Sequence, residues 1–142
     1  MPKVHAGFRG AFASVREALA DVIDIASGGD GNGASSGGWH ILVTGHSLGG
    51  ALATLTTLDF GRRFPKAQVT MYSFGAPRVG NTAFAELFSR VNGESFRVVN
   101  KRDLVARMPR GRLAARWMDY KHTGRVALVD EDNLGSVWVE GE

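Results

Sequence analysis

The sequence predicts an α/β fold: a mainly parallel sheet flanked by helices, ending in a C-terminal β-hairpin. Three observations carry this reading. Short apolar or β-branched runs at residues 41–44, 68–74 and 95–100 alternate with stretches of helical periodicity. Strand, helix, strand, helix, strand is the order that builds a parallel sheet. Two short valine-rich runs, 126–129 and 137–139, flank the acidic turn 130–135 and read as the hairpin. Finally, 44% hydrophobic and 22% charged residues are globular values, and the 142 residues suffice for one domain with a real core.

Taken in order, residues 7–26 read as one helix. Phe8, Phe12, Val15, Leu19, Val22, Ile23 and Ala26 form a continuous stripe that should pack on the sheet. Arg16, Glu17 and Asp24 lie off it. Residues 27–38 hold six glycines in twelve and should be a flexible loop. They lack the lysine and the spacing of a phosphate-binding loop. The strand at 41–44 breaks at Gly45, and Leu48, Ala51, Leu52, Leu55 and Leu58 resume at helical spacing. Gly61 is expected to end that helix and Pro65 to prevent its return. The strand 68–74 follows. Then come the breaker-rich loop 75–81 and a helix capped by Asn81 or Thr82, with Phe84, Leu87, Phe88 and Val91 inward. The third strand, 95–100, leads to Lys101-Arg102-Asp103. Between 97 and 121 stand eight Lys/Arg against two Asp, a basic face that suits solvent or an anionic lipid surface. No repeat and no second domain is evident, so residues 1–142 form a single domain.

The chemistry concentrates at Gly45-His46-Ser47-Leu48-Gly49. A G-x-S-x-G between a strand and an amphipathic helix is the nucleophile elbow of an α/β hydrolase. The turn forces the serine into a strained backbone, and glycines two before and two after it let strand and helix pass closely. Ser47 is thus the candidate nucleophile, and the N–H of Leu48 the candidate oxyanion donor. The alternative is an ordinary βα turn whose serine caps the helix.

A serine needs a histidine base, and the histidine needs a carboxylate. In this fold the chain order is Ser, acid, His. Asp103 is the natural acid, because it follows a strand in a sheet whose chemistry gathers at the C-terminal strand ends. Asp59, Glu86 and Glu94 fall on or beside helices, where solvated surface is their expected fate, and Asp119 is a weaker alternative. Only His122 follows the acid, so chain order alone nominates it. His5 and His40 are expected to be structural or remote. His46 adjoins the nucleophile but should point elsewhere on the turn.

Val4-His5-Ala6-Gly7-Phe8, residues 44–55, residues 74–81 and Phe96-Arg97-Val98-Val99-Asn100 with Asp103 resemble the class 3 (fungal-type) lipases, in particular their plant and algal phospholipase A1-like members. The resemblance spans about residues 4–129. It implies a partial α/β-hydrolase fold, with Ser47 as nucleophile, Asp103 as triad acid and Leu48 N–H as an oxyanion donor. It implies hydrolysis of glycerolipid acyl esters at a lipid–water interface, through an acyl-serine, with no metal or cofactor and no nucleic acid. It also implies that the triad histidine belongs to an element beyond residue 142, that His122 is structural, and that a second oxyanion donor lies upstream of Met1. Ala106 stands where many members have proline. A catalytically impaired or merely lipid-binding fragment is the rival expectation. A complete doubly wound sheet takes ~200 residues or more, which also points to a partial fold. There is no signal-peptide pattern, no apolar run of membrane-spanning length and no cysteine. Together these fit an intracellular, reducing setting, cytoplasm or plastid. Oligomeric state is not encoded in any pattern found.

Overall fold

The structure, a computed structural model, describes residues 1–28, 38–91, 94–100, 119–129 and 137–139. Three parallel strands organise it: β1 (His40–His46), β2 (Gln68–Phe74) and β4 (Ser95–Asn100). β6 (Arg125–Val129) adds in parallel beside β4, and β7 (Val137–Val139) pairs with it antiparallel. The five-stranded order is β1-β2-β4-β6-β7, with the expected terminal hairpin in place. A separate two-stranded ladder joins β3 (Gly80–Asn81) to β5 (Tyr120–Lys121).

The helices are α1 (Ala6–Ala13), α2 (Arg16–Ala26), α3 (Leu48–Arg63) and α4 (Thr82–Val91). The crossovers β1-α3-β2 and β2-α4-β4 both step the same way along the sheet. Right-handed crossovers then place both helices on one face. The buried side chains agree. Ile41 and Val69 pack with Ala20, Phe60 and Phe64, and Met71 packs with Ala53 and Phe88. Ala53, packed with Met71, is small enough for α3 to lie close on the sheet. Alternation sends Leu42, Tyr72 and Phe74 to the other face, where Leu42 is 60% exposed. Tyr72 stacks on Phe96 there at 5.2 Å, with the Arg125 guanidinium 5.8 Å from the Phe96 centroid. No helix among the described residues covers this face.

The expected single helix over 7–26 is two helices. Ser14 closes α1: its N–H bonds the Gly10 carbonyl at 3.2 Å and its hydroxyl donates to the Ala11 carbonyl at 2.8 Å. Such local hydroxyl bonds compete with helix continuation. The break resets the phase, so Ala20 and Ile23 face the core while Val22 is 61% exposed. Arg16 is a half-exposed charge with a fixed partner. It donates to Asp59 of α3 at 2.7 Å, and that hydrogen bond and charge hold its guanidinium proton more tightly than usual. Gly61 does not end α3, which runs on to Arg63. The stop comes at Phe64 because the residue before a proline avoids the helical region. Of the Gly-rich loop 27–38, residues 29–37 lie outside the described residues, as do Asp103, Ala106 and most of the basic stretch.

Asn81 caps α4 and does more. Its Oδ1 accepts from Phe84 N–H at 3.0 Å and from Lys3 N–H at 2.8 Å, and its Nδ2 donates to the Met1 carbonyl at 3.0 Å. Asn81→Ala strands two backbone donors at a buried position. It should cost about 2 kcal/mol, a cap plus an unmade buried hydrogen bond, read as a lower urea midpoint at unchanged slope. An unmoved midpoint would refute this role.

Candidate active site

The elbow starts from a steric problem. β1 ends at His46 and α3 begins at Leu48, which leaves one residue to reverse the chain. Ser47 does so at φ 52° and ψ −118°, and is the one non-glycine with positive φ among the described residues. A backbone of this kind costs on the order of 1–3 kcal/mol and persists only when it is held. Here Ser47 N–H bonds the Phe74 carbonyl of β2 at 2.9 Å, while its own carbonyl accepts from Gly50 N–H at 3.0 Å.

The glycines divide their work differently from the motif's symmetry. A Cβ on Gly45 would run into the Gly49 carbonyl and stand 2.8 Å from the Gly50 nitrogen. A Cβ on Gly50 would meet the Ala76 methyl at 2.7 Å. A Cβ on Gly49 would meet nothing within 4 Å. The close pass therefore needs Gly45 and Gly50, not the second glycine of the G-x-S-x-G. The signal for this was the extra glycine at 50 and the small Ala76 in the next loop.

The Ser47 side chain makes no capping hydrogen bond to α3, and no partner to it exists among the described residues. The capping alternative is therefore not what this structure shows. The first N–H groups of α3, those of Leu48 and Gly49, likewise have no acceptor among the described residues. Unsatisfied donors beside this hydroxyl, at the positive end of a 16-residue helix, can bind an oxyanion that develops where the hydroxyl attacks. The Leu48 side chain is half exposed and adds an apolar border.

Asp103 lies outside the described residues. The strand that leads to it is placed: β4 ends at Asn100 on the same sheet edge as Ser47, two strand spacings away, or about 10 Å. Three of the competing carboxylates are engaged elsewhere, and Glu86 is exposed on α4. Asp59 holds Arg16 and is only 16% exposed on its side chain, so it is a structural partner and not solvated surface. Glu94 accepts from Thr70 and Gln68, and Asp119 accepts from the Thr82 hydroxyl at 2.7 Å.

The histidines are placed too. His5 caps α1, its Nδ1 accepting from Phe8 N–H at 3.4 Å. His40 meets the Thr70 hydroxyl at 2.9 Å near the N-terminal end of β1. His46 is exposed on the open sheet face. His122 stands two residues before Gly124, where a Cβ would meet Ser95 at the start of β4. From the strand register, Gly124 is about 13 Å from the level of Ser47 along the strands and about 14 Å across them. The structure does not bring His122 to the nucleophile, and no histidine hydrogen-bonds Ser47.

Comparison with known proteins gives this arrangement a lineage. The family model described as Lipase (class 3) matches residues 1–112. A lipase of Rhizomucor miehei is 36% identical over 111 residues, covering 75% of this chain and 29% of that protein. A chloroplastic phospholipase A(1) of Arabidopsis thaliana is 43% identical over 70 residues, covering 49% of this chain and 16% of that protein. Among solved structures, lipase II of Rhizopus niveus superimposes with a TM-score of 0.81 at 28% identity, covering 99% of this chain and 50% of that one. The lipase of Rhizopus microsporus var. chinensis gives a TM-score of 0.80 at 31% identity, covering 98% and 45%. The chain thus spans under a third of these curated relatives and about half of these solved structures. A strained serine at a strand-to-helix turn, a mainly parallel sheet and a match over most of the sequence lead to one conclusion: the chain belongs to the class 3 lipase family, with the α/β-hydrolase type of fold.

Proposed function

We propose that this chain carries the nucleophile of a serine-dependent acyl-ester hydrolase that acts on glycerolipids, a triacylglycerol lipase or phospholipase A1-like activity. The observation that carries this is Ser47: a hydroxyl without a partner, held at positive φ over the N-terminus of α3. Ser47 Oγ attacks the ester carbonyl carbon while an imidazole takes its proton. The carbonyl oxygen becomes an oxyanion and accepts from Leu48 N–H. Collapse expels the glyceryl oxygen, which takes that proton from the imidazolium, and leaves an acyl-serine. Water then releases the fatty acid and restores the hydroxyl. Asp103 orients the imidazole. The chemistry needs no metal or cofactor, and the substrate meets the protein at a lipid–water interface. The lipase and phospholipase A(1) relatives support glycerolipid esters as the substrate class.

The histidines favour one qualification. None of the four histidines hydrogen-bonds Ser47, and the base we propose is a histidine other than these four. The 142 residues alone then behave as a catalytically impaired, lipid-binding unit. Two assays test this on triacylglycerol and phosphatidylcholine. Where these lipids are turned over, Ser47→Ala should lower the rate by at least ~10³-fold. The 142-residue chain should show only residual turnover, unchanged by His122→Ala. Turnover indifferent to Ser47 would refute the proposed function. Robust turnover of the short chain that is lost with His122→Ala would refute the placement of the base.

A further inference from the structure

A second site lies away from the elbow. A groove of about 410 Å³ opens between α1, α3 and α4, within the ~300–1,000 Å³ range of small-molecule sites. Its walls are Val4, Phe12, Leu55, Leu58, Phe84 and Leu87. Leu55 and Phe84 are buried, and they tie the groove to the core cluster beneath it. Leu58 stands eleven residues along α3 from Ser47, or about 16 Å, so the groove is not part of the elbow.

Its rim is cationic. Arg9 of α1 and Arg62 of α3 line it, both exposed, and neither has a hydrogen bond or ion pair among the described residues. Arg16 and Asp59 also line it, but they neutralise each other through the 2.7 Å bond. Asp59 is further approached by Arg63 at 3.9 Å, so its carboxylate does not offset the two free guanidiniums. The groove thus joins an apolar trough to two unspent planar forks. Guanidinium forks match a carboxylate in geometry and charge, and an apolar trough matches a hydrocarbon tail.

From this pairing we propose that the α1/α3/α4 groove binds one long-chain carboxylate, its head on Arg9 and Arg62 and its tail along Phe12, Leu55 and Leu58. A two-chain phospholipid exceeds the volume, and a neutral tail leaves the arginines without partners. The site takes a free fatty acid, and its occupancy does not depend on the ester hydrolysis proposed above.

The test is titration of the ¹⁵N-labelled 142-residue chain with sodium dodecanoate below its micelle concentration. Saturable one-to-one shifts are expected at Arg9, Phe12, Leu58 and Arg62. Arg9→Gln with Arg62→Gln should weaken binding by about tenfold or more. Both positions are exposed, so the fold should survive, which far-ultraviolet dichroism checks. Dodecyltrimethylammonium, with the same tail and opposite head, should bind at least about tenfold more weakly. Leu42→Glu, on the open sheet face, should leave dodecanoate affinity unchanged. Equal affinity for both heads, affinity indifferent to the two arginines, or shifts confined to Leu42, Tyr72 and Phe74 would each overturn the site. So would binding to phosphatidylglycerol vesicles without saturable binding of monomeric dodecanoate.

Discussion

Gly45→Ala is expected to lower the stability of the chain by about 3 kcal/mol or more. The added methyl is aimed at the Gly49 carbonyl and at the Gly50 nitrogen 2.8 Å away. These are backbone atoms of the first turn of α3, so no rotamer change can clear them. Either β1 and α3 separate or the elbow rearranges. Separation uncovers Ala53, which packs with Met71 of β2. Gly49→Ala is the contrasting variant. Its methyl enters open space at a helical position. Replacing glycine there should be neutral or stabilise by about 0.5 kcal/mol, through the unfolded chain's lost freedom. Urea midpoints at constant slope separate the two. A Gly45→Ala midpoint equal to that of the parent would mean that the close pass does not exist.

The second large effect is at Ser47, where chemistry and strain can be taken apart. Both Ser47→Ala and Ser47→Gly remove the hydroxyl. Either should abolish covalent labelling by a fluorophosphonate, checked by mass spectrometry of the peptide spanning the elbow. Their stabilities should differ. Alanine keeps a Cβ at φ 52°, ψ −118° and retains the strain. Glycine adopts that region freely. Set against glycine's larger loss of freedom on folding, Ser47→Gly should be more stable than Ser47→Ala by about 1 kcal/mol. Labelling that persists in Ser47→Ala would move the nucleophile elsewhere. Equal stabilities would show that the turn holds no strain.

The elbow was legible in the sequence because its requirements are local. A strand of β-branched residues, a glycine, a serine and a helix of alternating leucine and alanine each report on their own dihedrals and period. The same holds for β2 and β4, whose bounds follow the apolar runs closely. Other features were not legible because their causes are distant in sequence. The split between α1 and α2 hides inside an apolar stripe that reads as continuous. Only packing of Ala20 against Phe60 and Phe64 shows which phase is buried. Asp59 reads as a solvated helix carboxylate until Arg16, on another helix, is found 2.7 Å away.

The sequence by itself determined the main strands and the helices between them, the candidate nucleophile and the family. These rest on backbone preference, side-chain period and a spacing that survives without neighbours. The tertiary structure alone decided which glycines are needed for the close pass, which face of the sheet the helices cover, and that no histidine of this chain reaches Ser47. Each of those depends on atoms brought together from far apart in the chain. Strand order and crossover handedness bring them together, and no local pattern encodes those distances.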